Sequence, residues 1–268
     1  MPRKELTTLT GQLKKALALS SASHRRRYGQ ILVEGIQAVR ELLTYQPQSV
    51  RDVYVTEQVL DAHADIDAIL QNEQLYTHVL PQDLSSRVAP SAQGLFAVAN
   101  TEPSREIAEV LAATKLIVCC VQANDPGNAG TIIRVADAVG AGGVVLGTGS
   151  VSATSPKVIR SAAGSTFHIP VWELDVAEAI SAARDAGFQI LLADASGTVD
   201  LLDAESSGID LARPTVWMVG NEAHGFTQEQ IGLADALVRI PMWGSAESLN
   251  VAMATTICLY LSSAAHHK

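Results

Sequence analysis

The chain has 268 residues, of which 47% are hydrophobic and 18% are charged, and its formal net charge is −9. This composition is typical of globular proteins and excludes a chain that is disordered throughout. The longest apolar stretches, such as residues 116–121, are far shorter than the roughly 18 residues that a membrane-spanning helix needs. The N-terminus has no continuous apolar segment of the kind found in secretion signals. We therefore expect a soluble cytoplasmic protein with one or two domains and no membrane partner.

The first hundred residues predict a leading helix followed by a small α/β unit. Residues 1–20 are predicted to form one helix, whose apolar stripe is Leu6, Leu9, Leu13 and Leu17. After a polar segment, the apolar patterns predict strands over 31–35, 50–56, 75–80 and 95–100, with helices over 36–45 and 57–73. Residues 83–94 contain many turn-forming residues and predict a loop.

Positive charge is concentrated at the beginning of this region. Residues 1–27 contain seven Lys and Arg residues and one acid, a charge of +6, so the other 241 residues carry −15. A basic segment on an acidic protein fits local contact with a phosphate backbone, and a solvated helix or linker is the alternative interpretation. Arg25, Arg26 and Arg27 form the densest basic group, and we expect these three side chains to bind phosphates.

From residue 115 onward, strands and helices alternate to the end of the chain. The run KLIVCCVQ (115–122) is continuously apolar, as in a parallel sheet that is covered on both faces. The last helix is predicted over residues 247–265. This alternation predicts a parallel α/β domain with right-handed crossovers over residues 115–268. We place a first domain over residues 1–105 and a linker over residues 106–114.

The cysteines give no indication of a metal site or of disulfide bonds. There are three, Cys119, Cys120 and Cys258, and all of them lie in apolar segments. Their spacing does not match that of metal ligands. We expect buried, reduced thiols and no bound metal.

Three loops that follow predicted strands have an unusual composition. They are NDPGNAG (124–130), VGNEAHG (219–225) and IPMWGSAESLNV (240–251). Ligands of open α/β sheets bind at the carboxyl ends of the strands, where these loops lie. Each loop also has a purely structural interpretation, in which the first is a plain turn, Glu222 caps a helix and Ser248 is an N-cap. Asn250 is less easily explained by capping, and Arg134 lies one turn into the helix that follows the first loop.

Familiar nucleotide-binding motifs are absent from the sequence. Gly147 and Gly149 follow a predicted strand, but Ser152 stands where the dinucleotide fingerprint has a glycine. No P-loop sequence is present. These observations disfavour an enzyme that uses a nicotinamide cofactor or a nucleoside triphosphate.

The three loops together resemble the motifs of the SpoU (TrmH-like) family of RNA ribose 2′-O-methyltransferases, in the SPOUT superfamily. The matching segments are NDPGNAGTIIRVADAVGAGGVVL, VGNEAHG and IPMWGSAESLNVAMA, in the family's order within residues 115–268. Residues 22–100 are similar to the family's RNA-binding appendage, a small ribosomal-protein-like α/β domain. There the similarity depends on RRRYGQILVEGIQAVREL and GLFAVA.

The resemblance implies a fold, a cofactor and an assembly. The C-terminal segment of the sheet domain would thread through a loop and form a deep trefoil knot. The cofactor would be S-adenosylmethionine, and the protein would be a homodimer with its site near the subunit interface. Matching motif positions imply catalytic-site roles for Asn128, Arg134, Glu222, Ser248 and Asn250. They imply cofactor contacts, largely through backbone groups, for Gly220, Asn221, Ile240 and Leu249.

The chemistry of these side chains suggests which role each would have in methyl transfer. Arg134 is a poor base, because a guanidinium stays protonated up to roughly pH 12. We expect Arg134 to hold a neighbouring phosphate and to stabilise the developing alkoxide; a base assisted by that phosphate is the alternative. Glu222 and Asn128 would hold the guanidinium in place, while Ser248 and Asn250 would shape the ribose pocket.

We therefore expect an enzyme that transfers a methyl group from S-adenosylmethionine to a ribose 2′-hydroxyl in RNA. The N-terminal appendage favours ribosomal RNA, and transfer RNA is the alternative substrate. A non-catalytic RNA-binding protein with the same fold is a second alternative, but the complete set of motif residues argues against it.

Overall fold

A computed structural model describes residues 3–72, 75–220 and 225–268. The chain divides into two compact units, each built around its own sheet. The first comprises Met1–Pro103 and Thr154–His168, and the second comprises Ser104–Ala153 and Ile169–Lys268. The segment Thr154–His168 groups with the first unit, although the sequence predicts one continuous domain from residue 115. The predicted limits of 1–105, 106–114 and 115–268 stay predictions.

The first unit contains a five-stranded mixed sheet. Its strands are β1 (Lys4–Glu5), β2 (Gln30–Glu34), β3 (Val50–Val55), β4 (Thr77–Val79) and β5 (Leu95–Asn100). The helices up to residue 100 are α1 (Gly11–Ala18), α2 (Ala22–Tyr28), α3 (Ile36–Tyr45), α4 (Glu57–Ala62), α5 (Ala64–Asn72) and α6 (Gln82–Val88). The strand order is β1-β4-β3-β5-β2, and β5 runs antiparallel to both of its neighbours. Successive strand residues bury apolar side chains on opposite faces, as Leu32 and Val33 do.

The N-terminal segment does not form the single helix predicted over residues 1–20. It begins as β1, which pairs in parallel with β4, and only later becomes α1. The hydroxyl of Thr10 accepts a hydrogen bond from the Leu13 amide at 3.2 Å and so caps α1. Leu13 is fully buried, whereas Leu9 is exposed. The predicted stripe is therefore wrong, because strand pairing and a local cap override the apolar spacing.

Three other N-terminal expectations are corrected by the structure. The polar segment before β2 contains α2, which ends at Gly29 in the left-handed conformation with φ of 58°. The predicted loop over 83–94 contains most of α6. The predicted helix over 57–73 is divided at His63 into α4 and α5. These elements are short, and short elements carry little periodicity from which to predict them.

The remaining elements run from residue 104 to the C-terminus. The strands are β6 (Leu116–Cys120), β7 (Gly143–Gly147), β8 (Val171–Leu174), β9 (Gln189–Ala193), β10 (Val199–Asp200), β11 (Thr215–Val219) and β12 (Ala236–Arg239). The helices are α7 (Ile107–Leu111), α8 (Pro126–Ala138), α9 (Pro156–Ser161), α10 (Val176–Asp185), α11 (Gln228–Gly232) and α12 (Val251–His266). Of these, α9 belongs to the first unit.

The second unit contains a seven-stranded sheet in which every pair of neighbours is parallel. The strand order is β10-β12-β9-β11-β6-β7-β8. All residues of β6, β7 and β11 are buried, as expected for strands covered on both faces. The predicted parallel α/β architecture is confirmed. No helix in the described part of the chain is long and apolar enough to cross a membrane.

Candidate active site

The candidate site lies at the carboxyl edge of the seven-stranded sheet. Because all of its strands are parallel, the loops after β6, β9, β11 and β12 leave the sheet at the same edge. The first predicted loop follows β6, the second follows β11 and the third follows β12. The sheet therefore brings together segments that lie more than 100 residues apart in the sequence.

The first loop leads directly into α8, which begins at Pro126, within the segment 124–130 that the sequence predicts as a loop. The Asp125 side chain accepts a hydrogen bond from the Asn128 amide at 2.8 Å and caps the helix, with Pro126 in its first turn. Asn128 is half-buried in the first turn of α8. The cap fixes the backbone from which the Asn128 amide group projects.

The third loop ends at Asn250, which joins it to the first loop. The Asn250 side-chain oxygen accepts from the Ala252 amide at 2.9 Å, so Asn250 is the N-cap of α12. Its Nδ2 donates to the side-chain oxygen of Asn128 at 3.1 Å. The suggestion that Ser248 caps this helix is therefore wrong. The expectation that capping does not explain Asn250 is also wrong, because Asn250 provides the cap and uses its other amide atom to hold Asn128.

A cavity of about 210 Å³ is lined by Leu249 and Val251, the two neighbours of Asn250 in the chain. Three of the predicted cofactor residues, Gly220, Ile240 and Leu249, line it together with Ser248. A second cavity of about 110 Å³ is lined by Asn128 and shares Gly220 with the first. A Cβ atom on Gly220 would come within 2.6 Å of the Phe226 ring, so a larger residue at position 220 would require that ring to move.

Arg134 lies on the exposed side of α8 and lines neither cavity. Within the described ranges, its guanidinium has no hydrogen-bond or ion-pair partner. The predicted contact with Glu222 lies outside the described residues, as do Glu222 and Asn221 themselves. The structure thus brings together Asn128 and Asn250 but does not bring Arg134 into contact with them.

β9 also contributes to this site, which the sequence did not predict. Residues 193–195, at the end of β9, line the larger cavity, as do Met242 and Glu247 from the third loop. Asp194 and Glu247 add two carboxylates to walls that are otherwise largely apolar. β9 lies between β11 and β12 in the sheet, and that strand order could have directed attention to its carboxyl end. Strand order, however, cannot be read from the local sequence.

Comparison with known proteins identifies the kind of site. A sequence model of the SpoU rRNA Methylase family matches residues 115–260. The chain belongs to this family. Over 249 residues it is 31% identical to the 23S rRNA (guanosine(2553)-2'-O)-methyltransferase RlmP of Bacillus subtilis strain 168, covering 90% of this chain and 92% of that protein. The family predicted from the three loops is confirmed.

Solved structures of SpoU-type proteins have the same architecture. An AdoMet-bound rRNA methyltransferase from Sinorhizobium meliloti superposes with a TM-score of 0.80 at 27% identity, covering 97% of each chain. The SpoU methyltransferase AviRb from Streptomyces viridochromogenes, in complex with the cofactor AdoMet, also has a TM-score of 0.80 at 27% identity. That match covers 95% of this chain and 98% of AviRb.

The arginine triplet of this SpoU protein divides into one structural and two surface residues. Arg25 is only 6% exposed, and its Nη1 donates to the carbonyl oxygens of Leu19 at 3.1 Å and Ser20 at 2.9 Å. Arg26 and Arg27 are exposed on α2. The Arg25 guanidinium is hydrogen-bonded to backbone carbonyl oxygens inside the fold, so it is not available to a phosphate. The prediction of phosphate binding therefore remains only for Arg26 and Arg27.

One of the three cysteines of this SpoU protein, Cys120, lines the smaller cavity. All three cysteines are buried and unbridged, as predicted. Burial raises the pKa of Cys119 to about 12 and that of Cys258 to about 12, and it also raises the pKa of the Cys120 thiol. A neutral buried thiol is neither a nucleophile nor a metal ligand. Among residues 3–72, 75–220 and 225–268, no cluster of His, Cys, Asp and Glu could hold a metal ion.

Proposed function

We propose that this SpoU protein transfers a methyl group from S-adenosylmethionine to a ribose 2′-hydroxyl of ribosomal RNA. The observation that carries the proposal is the hydrogen bond from Asn250 to Asn128, which joins the first and third loops. Asn128 lines the smaller cavity, and both chain neighbours of Asn250 line the larger one. The Bacillus relative, which is named as a methyltransferase of 23S rRNA, supports ribosomal RNA as the substrate.

The residues that line the larger cavity suit the chemistry of S-adenosylmethionine. Val219, Ile240 and Leu249 offer apolar walls for a flat adenine ring. Gly220, which has no side chain, lets a ligand approach the backbone closely at the end of β11. The carboxylates of Asp194 and Glu247 can accept hydrogen bonds from ribose hydroxyls or an ammonium group. We propose that these residues hold the cofactor, together with Asn221.

The residues of the chain contribute binding, orientation and electrostatic stabilisation. When bound, S-adenosylmethionine supplies an electrophilic methyl group on a sulfonium sulfur, and the neutral thioether that remains is the leaving group. The Asn128–Asn250 pair holds two amide groups in fixed positions, and Ser248 forms part of the wall of the larger cavity. We propose that Ser248 and Asn250 shape the ribose pocket, so that the hydroxyl is already aligned for displacement.

Arg134 has the properties of a phosphate-binding residue. Its guanidinium is exposed and has no partner among the described residues, so it is available to an RNA phosphate. Its positive charge would stabilise the alkoxide that develops as the 2′-hydroxyl loses its proton. We propose that Arg134 acts in this way and that Glu222 helps to orient it. A base assisted by the phosphate is the alternative role for Arg134.

We propose that the second unit forms a deep trefoil knot, as the resemblance implies. Support comes from the path of the chain after β12, which returns as α12 to pack along α8. In addition to the Asn250–Asn128 bond, the Ser263 hydroxyl donates to the Val139 carbonyl at 2.7 Å. The last helix is therefore tied to the beginning of the domain at two points.

We propose that the protein is a homodimer in which α12 forms much of the interface. Met253 and Tyr260 are exposed apolar side chains on one stripe of this helix, and the partly buried Ile257 lies between them. Such a stripe fits an interface with a second copy.

We also propose that the first unit is a ribosomal-protein-like RNA-binding domain. A cytoplasmic location follows from a ribosomal RNA substrate.

Methyl transfer to defined RNAs tests the proposal. The purified protein should transfer labelled methyl groups from S-adenosylmethionine to bacterial 23S rRNA, and alkaline hydrolysis should leave the label in a 2′-O-methylated dinucleotide. Mapping 2′-O-methyl sites in total RNA from cells with and without the protein would identify the nucleotide. Labelling of transfer RNA alone would favour the alternative substrate. RNA binding without cofactor binding would favour a non-catalytic protein.

A further inference from the structure

Trp243 is the most exposed large hydrophobic side chain in the described part of the chain. It is 85% exposed, whereas the two other tryptophans, Trp172 and Trp217, are buried. A tryptophan ring carries a large apolar surface, and leaving that surface in water contributes nothing to folding. This side chain is therefore a candidate for contact with another molecule.

The position of Trp243 relates it directly to the proposed active site. It lies in the third loop, between Ile240 and Ser248, both of which line the larger cavity. The preceding residue, Met242, lines the same cavity, and the Cα atoms of consecutive residues are about 3.8 Å apart. The indole is thus attached at the rim of the cavity that is proposed to bind S-adenosylmethionine.

The surrounding loop leaves this ring free. Residues 242–248 are all exposed, and the space around Gly244 is open, with no atom within 4 Å of an added Cβ. In the described ranges, the Trp243 indole makes no hydrogen bond and no ring contact. Packing within the second unit therefore does not account for a tryptophan at this position.

We propose that Trp243 is a substrate-binding residue that stacks on an unpaired base at or next to the target nucleotide. This inference rests on the proposed function, since a ribose that receives the methyl group must reach the cavity rim with its base attached. An indole is a good stacking partner for every base, because all bases present a π-face. Proteins commonly bind single-stranded RNA loops by stacking splayed bases on aromatic side chains.

A base is favoured over a second copy of the chain because of the position of the ring. The apolar stripe that fits a dimer lies on α12 and includes Met253 and Tyr260. Trp243 instead follows β12 at the carboxyl edge of the sheet, where ligands of parallel α/β domains bind. Contact of this residue with a second copy is tested as an alternative outcome.

Tryptophan fluorescence measures the contact directly, because Trp243 is the exposed member of the three. Bacterial 23S rRNA and single-stranded poly(A) should both quench and shift the emission of the wild-type protein. Trp243→Phe should remove most of this response while still binding RNA. This readout needs no catalysis, so it distinguishes failure of the stacking proposal from failure of the proposed methyl transfer. An unchanged wild-type spectrum with saturating RNA would overturn the stacking proposal.

Kinetics with variants provide the second test. Stacking of one base contributes about 1–3 kcal/mol, so Trp243→Ala should raise the KM for 23S rRNA roughly 5- to 150-fold. Trp243→Phe should have a KM close to that of the wild-type protein. Calorimetry should give both variants the wild-type Kd for S-adenosylmethionine. Leu202→Ala, which shortens another exposed apolar side chain of the second unit, is the matched control and should leave the KM unchanged.

Three outcomes would contradict the proposal. A wild-type KM in Trp243→Ala would show that the ring does not bind the RNA. Weaker binding of S-adenosylmethionine would show that Trp243 belongs to the cofactor cavity instead. A change in the oligomeric state, with RNA affinity intact, would show that the ring contacts a second copy.

Discussion

Replacing Asn250 tests whether one side chain both caps α12 and holds the first loop in place. In Asn250→Ala, both the cap to the Ala252 amide and the bond to Asn128 are lost. Loss of an N-cap costs about 1 kcal/mol, and loss of a hydrogen bond costs about 0.5–1.5 kcal/mol. Because Asn250 is exposed, we expect the lower end of the combined cost. The free energy of unfolding should decrease by about 1.5 kcal/mol.

Asn250→Ser separates the two roles. A serine can still cap the helix through its hydroxyl, but it cannot reproduce the second amide atom that binds Asn128. We therefore expect Asn250→Ser to lose about 0.5–1 kcal/mol, less than Asn250→Ala. In a double-mutant cycle with Asn128→Ala, we expect a coupling energy of about 0.5–1 kcal/mol for Asn250→Ala.

Urea unfolding followed by tryptophan fluorescence suits this comparison, because all three tryptophans lie in the second unit. In both Asn250 variants, we expect the rate of methyl transfer to 23S rRNA to fall by a larger factor than the loss of folding stability alone would cause. Both variants release the side chain of Asn128. The reasoning is refuted if Asn250→Ser is as unstable as Asn250→Ala, or if the double-mutant cycle gives no coupling between Asn250 and Asn128.

Four further predictions concern charges and thiols. Arg134→Ala should reduce methyl transfer on the order of 10²–10³-fold while the Kd for S-adenosylmethionine stays within a few-fold, and near wild-type turnover would exclude its role. Changing Arg26 and Arg27 to Ala should flatten the salt dependence of RNA binding by about 1.4–1.8 units in log–log slope. Arg25→Ala should instead destabilise the first unit by about 1–3 kcal/mol, measured by circular dichroism, with the salt slope unchanged. Because burial raises the pKa of Cys119 and Cys258 to about 12, their contribution to stability should be complete below about pH 9 and decline as the pH rises towards 12. Urea midpoints at pH 8 and pH 10.5 would measure that decline, and a higher midpoint at pH 10.5 would contradict it.

The parallel α/β architecture of the second unit and the three loops of its site could be predicted from local sequence patterns. Strands such as β6 and β11 are buried on both faces, so they appear as continuous apolar runs that need no tertiary information. The loops could be found because the carboxyl ends of parallel strands share one edge, and because their motifs match the family. Gly220, Ile240 and Leu249 line one cavity, and their contact with the cofactor stays a prediction.

The tertiary structure alone decided the partners of individual side chains. Nothing in the local sequence shows that Asn250 bonds to Asn128, because the two meet only after the sheet has brought distant loops together. The arginine triplet appears uniform in the sequence, but α2 turns Arg25 inward to backbone carbonyls and leaves its two neighbours exposed. The N-terminal segment has helical spacing, yet Lys4 and Glu5 pair with β4. The edge of the sheet offers backbone hydrogen bonds to this segment, and the local sequence pattern contains no sign of them. Local patterns specify which faces are apolar, whereas hydrogen-bond partners depend on which segments the complete fold places side by side.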